Sequence, residues 1–222
     1  MDYLPLTIPL IGVVFGHILG NEIKFSDESA TLLRYYSIGI ILTSTAFNFL
    51  PDMRYNNKNI DKPLITTIVL TSVVLLLIFR EKVKSNVEQY FIYNMFDIFG
   101  IGFVIANAYI FHRSHLYVTI ISLTISTFFA GLTNVHDLIK NKYSKEEIIK
   151  IILFHLLIYF AGIITVYIIK NSHYSRLFIA GVIMTVIYWF MLKKIFMWKD
   201  EDDYGYSLSL IFIGTLTMII IR

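Results

Sequence analysis

A chain of 222 residues that is 56% hydrophobic and only 16% charged cannot hide its apolar surface inside one water-soluble domain of that size. The absence of cysteine excludes disulfides and thiolate metal sites, and a formal net charge of +3 does not mark a nucleic-acid binder. Mean hydropathy is +0.67, and the charges are bunched so that apolar windows of about 17–22 residues remain, enough to cross a hydrocarbon core of about 30 Å. The class expected is an all-α polytopic integral membrane protein, a single transmembrane domain over 1–222 with the lipid bilayer as its first partner.

Eight spans are predicted, at 3–20, 32–50, 63–79, 88–111, 116–138, 148–169, 177–198 and 206–221. The first follows Met1 with no basic stretch before it and no small-residue cleavage site after it, and reads as a retained span. The second is stopped by Pro51, and 52–62 reads as a water-exposed loop. The third carries no ionisable residue and is expected to face lipid. Ahead of the sixth, Ser144-Lys145-Glu146-Glu147 has the pattern of a helix N-cap. Lys199-Asp200-Glu201-Asp202-Asp203 reads as a solvated loop between the last two spans. Of the 19 Lys and Arg residues, twelve fall on the side of the 1–2, 3–4, 5–6 and 7–8 loops and seven on the other. The excess puts the first side inside and both termini outside.

Chemistry is sparse. In Tyr93-Asn94-Met95-Phe96-Asp97-Ile98-Phe99-Gly100-Ile101-Gly102, Asn94 and Asp97 share a helical face within an apolar run. A carboxylate in hydrocarbon is costly, so Asp97 marks a functional site by default; its plainer reading is a buried carboxyl bonded to a neighbouring Asn or Tyr. Asn48 and Asp52, four apart, flank Pro51, which would loosen the helix and free carbonyls; the plainer reading there is an ordinary helix exit. Ser126, Ala130 and Asn134 line one small-residue face, usual for packing in membrane bundles. His136 and Asp137 lie near a span end, within reach of water. His17 and His155 stand singly within spans, and His112 and His115 offer two ligands where zinc asks for more. With no nucleotide-binding glycine loop, nucleophile elbow or HExxH, neither an enzyme nor a tightly bound cofactor is expected.

The second span, Gly39 to Asp52 with Asn48-Phe49-Leu50-Pro51-Asp52 at its end, resembles the second span of ZIP-family metal transporters, where His-x-x-Pro-Glu closes a small-rich apolar run. The fourth resembles that family's His-Asn-x-x-Asp-Gly-x-x-x-Gly, with Tyr93, Asn94, Asp97, Ile98 and Gly102 at those positions. The resemblance implies an eight-helix ZIP-like bundle and a carrier of divalent metal ions (zinc, manganese or iron). In the fifth span the family's ligands fall, without gaps, on Ser126, Phe129 and Ala130, with Asn134 at a further polar position; a one-residue deletion would instead align Asn134-Val135-His136-Asp137. The ligand set implied is therefore Asn94, Asp97, Asn48, Asp52 and Asn134, oxygen donors that suit harder cations better than zinc. Tyr93, Ser126 and Ala130 at ligand positions motivate the alternative, a transport-inactive relative acting as a membrane scaffold. An intramembrane enzyme is the remaining class, without an acid–base pair to support it. The Gly100 and Gly131 faces are offered as homodimer contacts.

Overall fold

Hydrocarbon offers no hydrogen-bond partners to a backbone, so apolar runs of this length satisfy their own N–H and C=O groups by turning into helices. The computed structural model describes residues 4–23, 25–55, 86–197 and 212–216, with side chains described there except at 42, 45–55, 86–93, 184 and 187–197. The helices are α1 (Leu4–Glu22), α2 (Asp27–Tyr55), α3 (Asn86–Phe111), α4 (Leu116–Lys140), α5 (Lys145–Ile169) and α6 (His173–Met197), with a 3-10 turn at Arg113–His115 joining α3 to α4. Residues 212–216 are also helical and pack on α2, where Thr43 Oγ1 donates to Thr215 Oγ1 at 3.2 Å.

The expected eight-helix ZIP-like bundle is not what forms. Among the described residues there are six long α-helices, the short helical stretch at 212–216 and one 3-10 helix. Four stretches among the described residues are long and apolar enough to cross a membrane: Leu4–Glu22, Asn94–Phe111, Arg113–Lys140 and Lys145–Ile169. These correspond to the first, fourth, fifth and sixth predicted spans. The second and seventh predicted spans fall on α2 and α6, of which 45–55 and 187–197 lie outside the residues whose side chains are described. In the described part of α2, Ser37, Thr43 and Ser44 are buried, and its N-terminal turns hold Asp27, Glu28 and Arg34. Its helix also runs on past Pro51 to Tyr55, since a proline costs one intrahelical bond without necessarily ending the helix. The third predicted span and the charge run at 199–203 lie outside the described residues, as does the eighth span apart from 212–216. The chain is an all-α, multi-pass integral membrane protein.

Its helices are inside-out by the standards of water. α5 exposes Leu153, Leu157, Phe160, Ile164 and Ile168, while His155, Tyr159 and Gly162 face the interior. Apolar side chains gain nothing by leaving lipid, so small residues and polar contacts decide which helices meet. α1 and α4 run parallel along Gly12, Gly16 and Gly20, which sit at the backbone of Thr124, Phe128 and Leu132 in turn. Thr127 Oγ1 donates to the Pro9 carbonyl across the same seam at 2.9 Å. α3 and α5 cross where Gly102 meets the Tyr159 carbonyl and Gly162 meets the Phe99 carbonyl. Gly100 packs on Ile183 and Gly131 on His17, so the two faces offered above to a homodimer are occupied within the chain.

The loops close with local chemistry. Ser144 Oγ accepts from the Glu147 N–H at 3.3 Å while Glu147 Oε2 accepts from the Ser144 N–H at 2.8 Å, a reciprocal box at the N-cap expected from the sequence. Ser144→Ala is expected to lower stability by about 1 kcal/mol, measured as a shift in the thermal or denaturant midpoint in detergent.

At the same end of the bundle, Asp27 accepts from Lys140 Nζ at 2.6 Å and from His136 Nε2 at 3.0 Å. The hydrogen bond from Lys140, then that from His136, holds the Asp27 carboxyl below the ordinary carboxylate range. A depressed folded value means the stability is present above the unfolded pKa of about 4 and is lost as pH falls through the folded value. Asp27→Asn should therefore remove a small part of the acid limb below about pH 4 in a plot of melting temperature against pH, small because the carboxylate is exposed.

Candidate functional site

Three helices bring polar side chains to one point. α3 contributes Asn94 and Asp97, α4 contributes Thr133 and Asn134, and α2 contributes Arg34 and Ser37; with Ile38 and Ala130 they line a cavity. It has room for roughly one water-sized body. The i, i+3 spacing that puts Asn94 and Asp97 on one face of α3 turns both inward, where they are 6% and 3% exposed, and Asn134 is 4% exposed. Asp97 Oδ1 is buried with no hydrogen-bond partner. Native proteins rarely leave such an oxygen unsatisfied, and where they do a ligand or ion is a standard reason.

The electrostatics are set by a neighbouring pair. Arg34 Nη2 donates to Asp137 Oδ2 in an ion pair whose side chains are 14% and 22% exposed. Arg34 lines the cavity, but its charge is met by Asp137, which leaves Asp97 as the uncompensated acid of the lining. The donors are carboxylate, amide and hydroxyl oxygens. No group of three or more His, Cys, Asp or Glu gathers among the described residues, so the lining lacks the nitrogen- and sulfur-rich chemistry of a zinc centre.

From the cavity a line of hydroxyls continues between α2 and α4. Ser37 and Ser126 hydroxyls lie 2.8 Å apart, and each also reaches the other's backbone carbonyl, at 2.9 and 3.1 Å. Farther along, Ser44 and Ser122 hydroxyls lie 3.1 Å apart. The Ser126–Ala130–Asn134 face is thus packing surface at Ser126 and cavity wall at Ala130 and Asn134.

Of the residues singled out from sequence, Asn94, Asp97 and Asn134 come together. Asn48 and Asp52 lie in the last turns of α2, and their side chains, like that of Tyr93, are outside those described. His136 and Asp137 are bound to Asp27 and Arg34 rather than to the cavity. Arg34, Ser37 and Thr133 were not anticipated. The available signal was Asp137 itself: a carboxylate near a span end needs a counter-charge on the same side, and Arg34 starts a neighbouring span there. No protein-family model matches the chain, and no curated protein matches its sequence.

Proposed function

We propose that the protein carries a hard metal cation, divalent in the first reading, across its membrane, with the Asp97 carboxylate as the charged ligand and the Asn94 and Asn134 side-chain oxygens as neutral ones. The observation that carries this reading is the buried, unpartnered Asp97 Oδ1 in a cavity walled by three helices. Intramembrane ionisable residues that face a bundle interior mark ion pathways, and the hydroxyl pairs between α2 and α4 supply a polar track leading away from the site. The resemblance of Asn94-x-x-Asp97 to the ZIP-family pattern supports the same reading.

Oxygen donors favour Mn²⁺, Mg²⁺ or Ca²⁺ over zinc. A single net carboxylate binds a divalent ion weakly, and weak binding suits a carrier, whose site must release what it admits. The second reading, a transport-inactive membrane scaffold, is favoured by one observation: the Arg34 guanidinium lines the same cavity and opposes a cation whenever Asp137 is lost as its partner.

Uptake into proteoliposomes, with Mn²⁺, Mg²⁺, Ca²⁺ and Zn²⁺ each offered in turn, decides between them. Carriage predicts saturable uptake that Asp97→Ala abolishes and Asn94→Ala weakens. Uptake untouched by both substitutions removes these residues from the pathway. No uptake of any ion, together with stable co-purification of another membrane protein, is the result expected of the scaffold.

A further inference from the structure

The two span histidines that looked solitary in the sequence meet in the fold. His17 on α1 and His155 on α5 are each 1% exposed, and their ring centroids lie 5.7 Å apart with 64° between the planes. One contact ties α5 to α1 in this register, and a glycine of α4 makes room for the ring. The Tyr159 hydroxyl, one turn beyond His155, donates to the Leu6 carbonyl of α1 at 2.6 Å. Gly131 leaves space for the His17 ring, since a Cβ there would lie 2.9 Å from His17 Nδ1.

The nitrogens are poorly served. His17 Nδ1 is 2.7 Å from the Val13 carbonyl, and because a carbonyl only accepts, this nitrogen carries the proton and Nε2 the lone pair. His17 Nε2 is buried without a partner, and so are both ring nitrogens of His155. Leaving buried nitrogens unsatisfied costs stability. A histidine that donates one ring N–H to a backbone carbonyl and keeps the other nitrogen bare has the form of an oriented metal ligand.

We propose that His17 and His155 form a two-imidazole site for a soft monovalent metal ion of the copper(I) class, separate from the oxygen-lined cavity at Asp97. A metal about 2.0 Å from one nitrogen of each ring would set the ring centres roughly 6 Å apart, close to the 5.7 Å observed. Among the described residues no third His, Cys, Asp or Glu joins the pair, so the four-coordinate demand of Zn²⁺ is unmet. Charge points the same way. Two neutral ligands in a low-dielectric interior offer no counter-charge, and the solvation cost of an ion grows with the square of its charge, about fourfold from monovalent to divalent. Copper(I) is content with two donors in a near-linear arrangement, and imidazole is among the ligands copper accepts.

The test is an anaerobic titration of the purified, metal-free full-length protein with copper(I), using bicinchoninate as the competing chelator. One copper per chain is expected. His17→Leu and His155→Leu should each weaken it by about 100-fold or more, whereas the paired loop change His112→Gln with His115→Gln should leave it intact. Size-exclusion profiles and melting temperatures check that the variants fold. Where a variant fails that check, copper-edge X-ray absorption of the loaded wild-type protein decides, with two nitrogen donors expected. No binding by the wild-type protein, binding that survives both leucine substitutions in folded protein, or a copper shell containing methionine sulfur overturns the proposal.

Discussion

Asp97→Asn is expected to abolish cation uptake while leaving the folded protein as stable as before, or more so. The substitution keeps the shape of the side chain and removes only its capacity for charge. Asp97 is 3% exposed and its Oδ1 has no partner, so the folded state gains little from the carboxylate and bears the cost of burying it. Removing such a burden is worth on the order of 1 kcal/mol. Function responds in the opposite direction. Changing even a supporting residue of a metal site costs about 10–100-fold in affinity, so loss of the only uncompensated acid in the lining should cost at least the upper figure.

This opposition, stability held or raised while transport collapses, is the signature of a group kept for its chemistry. Melting temperature in detergent and uptake by proteoliposomes, measured on the same preparation, give the two numbers. A marked loss of stability with uptake preserved would make Asp97 a structural residue and sink the assignment.

Gly102→Val is expected to do the reverse: unfold the α3–α5 contact first and lose transport as a consequence. A Cβ at Gly102 would run into the Tyr159 carbonyl oxygen and come within 3.1 Å of the Tyr159 carbonyl carbon. Both are backbone atoms, which no rotamer change can move aside. Gly162 is built against Phe99 and Phe103 in the same way from the opposite helix, its Cβ position 2.9 Å from the Phe103 nitrogen. Overpacking of this kind costs about 1–3 kcal/mol in protein cores, and a branched side chain against a carbonyl belongs at the upper end. Because α3 also carries Asn94 and Asp97, pushing it off α5 displaces two ligands of the proposed site relative to Asn134. Gly20→Ala is the matched comparison: its nearest contacts are 3.0–3.1 Å away, so its melting temperature should fall less. Equal melting temperatures for wild type and Gly102→Val would mean that the two helices do not cross there.

What the sequence determined by itself was local. Apolar windows long enough for a bilayer specified helices, because hydrocarbon leaves a backbone no other partners. A serine three residues before a glutamate specified the start of α5. Three-residue spacing put Asn94 and Asp97 on one face of α3, and the cost of a carboxylate in lipid identified that face as the one to watch. Each of these is a statement about neighbours along the chain.

Which helices touch was decided only in three dimensions. Arg34 meets Asp137 across 103 residues, and that pairing is what makes Asp97 the unbalanced charge of the cavity. Asn134, read from sequence both as part of a small packing face and, through the family resemblance, as a ligand, stands in a cavity wall because α3 presents Asn94 and Asp97 to it. His17 and His155, each unremarkable alone, become a pair because Tyr159 ties α5 to α1. The eight-helix plan drawn from windows and motif resemblance failed at this level. Apolar windows can show how much of a chain a membrane will accept, but lipid is as apolar as leucine and gives helices no preference among neighbours. Glycine contacts, serine pairs and ion pairs between distant residues supply that preference, and their partners are visible only once the chain has folded.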